Sequence, residues 1–160
     1  MFNRDELNRL YRYAVSLSRK EEDGADLLQT TLVKLFERSG RIEVEYPIRY
    51  AMRTIRNTFL NSLRTSNREE AIEDENTIVD KNIDLNKIIS NKIEVEEVLS
   101  FCNPLEREIL YLWAYEGMTY VEISGFLEIS KGTLLTKIHN LKKRINESLE
   151  LKRSTKEGVL

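Results

Sequence analysis

Two helix starts set close together, in TYVEISGFLEISKGTLLTKIHNLKKR at residues 119–144, narrow most sharply what this chain can fold into. Thr119 and, three residues on, Glu122 form a capping box, in which hydroxyl and carboxylate each take a backbone N–H that has no partner inside the helix. The spacing predicts a helix from Tyr120, with Ile123 and Leu127 one turn apart on its buried side. Ser130 offers an N-cap oxygen to a second helix from Lys131, which leaves only residues 128–130 for the turn. In that second helix Leu134, Ile138, Leu141 and Ile145 fall at i, i+4, i+7 and i+11, a single apolar stripe at helical period.

The other faces of the second helix carry Lys131, Thr133, Thr136, Lys137, His139, Asn140, Lys142, Lys143 and Arg144, and no acidic residue lies between Ser130 and Asn146. A phosphate backbone would accept such a surface. A basic helix alone is more often a solvated lysine face, but paired caps around a short turn are how a helix-turn-helix seats its second helix in the major groove of DNA.

Composition sets the outer limits. A chain of 160 residues with 41% apolar content makes one or two small domains. No run approaches the roughly 20 apolar residues that span a bilayer, and the N-terminus is charged from Arg4, unlike a secretory signal; a cytoplasmic location without membrane insertion is expected. Cys102 and His139 are the only residues of their types. An intramolecular disulfide or a Cys/His zinc cluster is therefore impossible within one chain, Cys102 is expected in the core, and no cofactor or metal site is expected. Neither a glycine-rich phosphate loop nor a paired His/carboxylate set is present, so no enzyme is expected.

The net charge of −2 conceals segregation. From Tyr46 to Arg68 there are five arginines and no acid; from Glu69 to Asp84 there are seven acids, with Lys81 the only base. Strand-like alternation is absent, and the reading is all-α. Asn3 with Glu6 caps a first helix that carries Leu7, Leu10, Tyr11, Ala14, Leu17 and Ser18 on one face and ends near Lys20. A second runs from about Gly24 to Arg38, with Leu27, Leu28, Thr31, Leu32, Leu35 and Phe36 as its apolar side and Gly40 as its stop. Pro47 opens a third, in which Ile48, Met52, Ile55, Phe59 and Leu63 face the core. Arg49, Arg53, Arg56 and Arg64 form a second stripe about 100° around the axis, beside Asn57 and Asn61. Guanidinium forks next to amides suit phosphates and base edges; a solvated arginine face is the alternative. Helical pattern resumes with Leu85, Ile88, Ile89, Val95, Val98 and Leu99. Asn103-Pro104 begins another helix, with Leu105, Ile109, Leu112 and Trp113 inside and Gly117 at its end.

Three blocks, ADLLQTTLVKLFE at 25–37, PIRYAMRTIRNTFLNSLR at 47–64 and GMTYVEISGFLEISKGTLLTKIHNLKKR at 117–144, occur in the order and spacing of a bacterial RNA polymerase sigma factor. The chain resembles the extracytoplasmic-function type, small sigma factors that keep only the second and fourth sigma regions. The resemblance implies two small helical domains joined by an acidic linker: a region 2-like domain at 1–67, the linker at 68–84, a region 4-like helix-turn-helix domain at 85–150 and a flexible tail at 151–160. It implies polymerase docking by Asp26, Leu28, Gln29 and Lys34, capture of the minus-ten element by Arg53, Arg56, Asn57, Asn61 and Arg64, and reading of the minus-thirty-five element by Lys131, Thr133, Thr136, Lys137, His139, Asn140 and Lys143. The implied partners are core RNA polymerase, promoter DNA and an anti-sigma factor.

The sequence also departs from the family pattern. Glu128 stands in the turn where glycine is usual, which predicts a residue held at positive φ. Leu135 stands where lysine or arginine is usual, Ser124 for alanine, Thr30 for glutamate and Tyr50 for tryptophan. A stand-alone helix-turn-helix regulator, or a sigma-like adaptor that binds polymerase but no longer reads promoters, are the alternative readings.

Overall fold

The structure is a computed structural model and describes residues 2–40, 46–65 and 95–157. Among the described residues there are seven helices and no strand: α1 (Arg4–Ser18), α2 (Glu21–Arg38), α3 (Pro47–Thr65), α4 (Val95–Ser100), α5 (Pro104–Ala114), α6 (Tyr120–Leu127) and α7 (Lys131–Glu157). The all-α expectation holds. The chain divides into two compact units, Met1–Glu73 and Asp74–Leu160. The acidic segment expected as a linker at 68–84 lies outside the described residues, as do Leu85, Ile88 and Ile89.

In the first unit α1, α2 and α3 each pack against the other two. The capping box that starts α1 is complete: Asn3 Oδ1 accepts from the Glu6 amide and Glu6 Oε2 accepts from the Asn3 amide, both at 2.9 Å. The helix stops at Ser18, where Arg19 turns left-handed at φ 67°. Leu10, Tyr13 and Ala14 of α1, Leu35 of α2, and Ala51, Met52 and Ile55 of α3 form the core. Tyr13 was not on the expected face of α1, and Tyr11, which was, is only partly buried. Two neighbours cover α1, so its buried arc is wider than one stripe.

α2 begins at Glu21, three residues before the expected Gly24, and Gly24 instead sits inside its first turns against α1. Thr31 is wholly buried, its hydroxyl donating to the Leu27 carbonyl at 2.8 Å. Phe36 is a correction: placed on the apolar side of α2 by its spacing, it is 72% exposed. The helix packs through Gly24, Thr31 and Leu35, and Phe36 lies about 100° around the axis from Leu35.

In the second unit α5, α6 and α7 pack pairwise. Pro104 occupies the first turn of α5 and Asn103 caps it; Glu106 completes a capping box that the sequence reading passed over. Ile109, Leu110, Leu112, Met118, Ile123, Phe126, Leu127, Leu134, Ile138, Leu141 and Ile145 make the core, which Val98 and Cys102 extend. The Cys102 thiol donates to the Val98 carbonyl at 3.3 Å, so its expected place in the core is confirmed. Gly117 holds φ 63°, and the Met118 amide then reaches back to the Leu112 carbonyl at 3.1 Å.

α6 and α7 follow the predicted caps. The Glu122 amide donates to Thr119 Oγ1 at 3.2 Å, and the Thr133 amide donates to Ser130 Oγ at 3.1 Å. Glu128 adopts φ 57°, ψ 37°, the left-handed conformation its turn position predicted. A side chain there crowds the following carbonyl, so Glu128→Gly is expected to stabilise the second unit by about 1 kcal/mol. Urea denaturation of the two proteins measures it, and a midpoint that stays or falls would count against the strain.

α7 continues to Glu157, so residues 151–157, expected as a tail, are helical. No glycine or proline interrupts the chain between Gly132 and Gly158, and nothing in that stretch breaks a helix.

Candidate nucleic-acid interfaces

Helical geometry sorts the expected site residues by direction. On α3, Arg53, Asn57, Asn61 and Arg64 follow one another at i, i+4, i+8 and i+11 and are all exposed, so they form one stripe on the side away from Ala51 and Ile55. Arg56 stands at the edge of this stripe and is partly buried. The structure therefore brings four of the five residues onto one face and sets the fifth beside it. Tyr46, 66% exposed, precedes the same face at the helix start, where its carbonyl accepts from the Tyr50 amide.

On α7, the buried residues Leu134, Leu135, Ile138, Leu141 and Ile145 define the inward side. Opposite them Thr133, Thr136, Asn140 and Lys143 fall at i, i+3, i+7 and i+10. Lys137 lies on one flank of that stripe and His139 on the other, whereas Lys131, exposed in the first turn, falls in line with Leu135 and Ile138. The seven expected residues thus make a central stripe of four with three outliers. Both hydroxyls of the stripe are engaged locally: Thr133 Oγ1 bonds Ser130 Oγ at 2.8 Å, and Thr136 Oγ1 donates to the Gly132 carbonyl at 2.9 Å.

Leu135 is buried. Its side chain fills the core of the unit, and the loss of a charge at that position subtracts nothing from the outward stripe. Arg144, counted with the basic faces, is also diverted: its guanidinium pairs with the Glu106 carboxylate of α5, which is 4% exposed. Carboxylates that hold a guanidinium in this way satisfy two buried or half-buried charges at once.

The residues expected to dock a partner on α2 separate. Asp26 and Gln29 are exposed, Leu28 is partly buried, and Lys34 reaches across to α3, where its Nζ donates to Thr58 Oγ1 at 3.2 Å. Asp26 and Gln29 instead share a stripe with Val33 and Phe36, at i, i+3, i+7 and i+10. Val33 is 58% exposed. Val33 and Phe36 are the surface residues the sequence reading missed; the available signal was a second apolar strip on a helix whose core side was already filled.

Among the described residues, no group of three or more His, Cys, Asp or Glu side chains is placed to hold a metal, and no helix is long and apolar enough to cross a membrane.

The chain is similar to known proteins in sequence and in fold. Residues 3–69 match the family described as sigma-70 region 2. Over 152 residues the chain is 25% identical to the ECF RNA polymerase sigma factor SigE of Mycolicibacterium smegmatis, an alignment that covers 91% of this chain and 59% of that protein. The fold is similar to that of the sigma factor RpoE in its co-crystal structure with the anti-sigma factor NepR from Bartonella quintana, with a TM-score of 0.61 and 23% identity across 91% of this chain and 92% of the other. The match to sigma-70 region 2 falls on the part of the chain that carries α1, α2 and α3.

Proposed function

We propose that this chain is a sigma factor, which binds core RNA polymerase and directs promoter recognition and opening for transcription initiation. One observation carries the proposal: the segment matching sigma-70 region 2 presents the exposed stripe Arg53, Asn57, Asn61 and Arg64 on α3. Two amides flanked by guanidinium groups offer base-edge contacts and phosphate contacts along one line. The second unit supplies another surface, where α7 turns Thr133, Thr136, Asn140 and Lys143 away from its core.

In this reading residues 1–67 bind polymerase and capture the minus-ten element, 68–84 tether, 85–150 read the minus-thirty-five element, and Arg56, Lys131, Lys137 and His139 contact DNA at the edges of the two surfaces. Asp26 and Gln29, with Val33 and Phe36, are the docking stripe toward polymerase; Leu28 and Lys34 support it from within the unit. Polymerase supplies the chemistry, so the chain needs neither a catalytic residue nor a cofactor, and it acts in the cytoplasm, where polymerase works. An anti-sigma factor is a further partner, since the similar RpoE was crystallised with one. The match to region 2 does not favour the stand-alone regulator or the adaptor.

The test is run-off transcription with core polymerase and a promoter library. Chain-dependent transcripts are expected, and replacing Arg53 and Asn57 together by alanine should reduce them at least tenfold, from a loss of about 1–3 kcal/mol for each good base contact. Arg12→Ala, on an exposed part of α1, should leave them unchanged. Absence of any chain-dependent transcript overturns the assignment.

A further inference from the structure

The anchors of α3 are spread unevenly along it. Its buried residues, Ala51, Met52, Thr54 and Ile55, all lie in the first half of the helix, and from Arg56 to Thr65 every side chain is partly buried or exposed. Asn57, Asn61 and Arg64, three of the four residues of the outward stripe, belong to that second half. A polar tie reaches it from α2: Lys34 Nζ donates to Thr58 Oγ1 at 3.2 Å. Thr58 directly follows Asn57 and stands nearly one turn before Asn61.

The apolar residues of the second half, Phe59, Leu60 and Leu63, are partly buried. Apolar burial is non-directional, so it resists separation of a helix from its neighbours better than rotation about its own axis. A hydrogen bond is directional and loses strength steeply as donor and acceptor leave their line. The bond to Thr58 therefore fixes what Phe59, Leu60 and Leu63 leave loose. It also directs Lys34 toward α3, about 100° around α2 from Val33, so the docking stripe does not use its charge.

Resting on the sigma-factor reading, we infer that Lys34 is a positioning residue for promoter opening. Through Thr58 it sets the rotation of the second half of α3, and with it the direction in which Asn57, Asn61 and Arg64 meet the DNA strand. The loss of one such bond is small beside the stability of a folded domain, so the unit stays folded without it and the effect falls on opening.

The full chain with core polymerase tests this on a promoter taken from the transcribed library. Polymerase affinity is measured by competition with labelled wild-type chain, and opening by 2-aminopurine fluorescence in the minus-ten element. Lys34→Met and Thr58→Val should each slow opening about fivefold, the size of one net hydrogen bond. The double variant should be no slower than either, because both changes remove the same bond. Lys34→Arg, which keeps a cationic donor, should retain most of the rate. Polymerase affinity should stay that of the wild type, and circular dichroism at the assay temperature should show every variant folded. Weaker polymerase binding by Lys34→Met, unchanged opening with Thr58→Val, additive losses in the double variant, or slowing that merely tracks unfolding overturns the proposal and leaves the sigma-factor reading intact. If the wild-type chain opens no promoter, both fall.

Discussion

Gly24→Val is expected to lower the melting temperature of the first helical unit by about 10–20 °C, the largest effect of any single substitution considered for this chain. A Cβ at position 24 would stand 2.5 Å from Val15 Cγ2, 2.8 Å from Val15 Cα and 2.9 Å from the Val15 amide nitrogen. The side-chain atom could rotate away, but the two backbone atoms cannot. Any side chain there forces α1 and α2 apart, and both also pack on α3, so the displacement opens the core around Leu10, Ala14 and Leu35. Overpacking of this kind costs about 1–3 kcal/mol for small insertions, and valine's branched methyls place it at the upper end. Gly24→Ala should lose less, because alanine regains about 1 kcal/mol of helix propensity. Gly125 of α6 is the control, since a Cβ there meets nothing within 4 Å; Gly125→Ala should be neutral or stabilising. A Gly24→Val protein that melts with the wild type would refute the close approach of α1 and α2.

The second large effect is an asymmetry. Arg144→Met should destabilise the second unit by about 2–3 kcal/mol, whereas Glu106→Gln should cost about 1 kcal/mol or less. Removing the guanidinium leaves a carboxylate that is 4% exposed without its counter-charge, whereas removing the carboxylate's charge leaves an arginine side chain that is 43% exposed and turns to water. The figure for Arg144→Met sits below the usual cost of breaking a buried pair because solvent reaches one partner. Glutamine also keeps a side-chain oxygen for the Asn103 amide, which Glu106 serves at 3.3 Å, so the capping box survives the change. Guanidinium chloride denaturation of the two single variants and the double variant measures the difference. Equal costs would mean that the pair is a solvent-screened surface contact.

The elements legible in the sequence were those whose ends are written in local chemistry. Asn3, Pro47, Asn103, Thr119 and Ser130 each start a helix through a side-chain oxygen or a fixed φ, and the structure begins its helices beside them. The single stripe of α7 was legible for the same reason: Leu134, Ile138, Leu141 and Ile145 all end up buried. What the sequence could not rank was how wide each buried face would be. Phe36 continues the apolar side of α2 by spacing and yet faces solvent, while Leu135 falls off the expected stripe of α7 and is buried, because neighbouring helices decide how far a face extends. The same limit applied to the interfaces. Lys34 and Arg144 look alike in sequence to any solvated cation, and only the placement of Thr58 and Glu106 on other helices shows that each is engaged within its own unit.

The bare stripe on α2 has a consequence for cellular stoichiometry. Every undocked copy carries Val33 and Phe36 into water, an apolar surface that adheres to whatever else is uncovered. On the proposed function, in which this stripe docks on polymerase, copies in excess of polymerase are expected to aggregate or be degraded first, so that the supply of polymerase would set a ceiling on how much of this chain a cell can usefully hold.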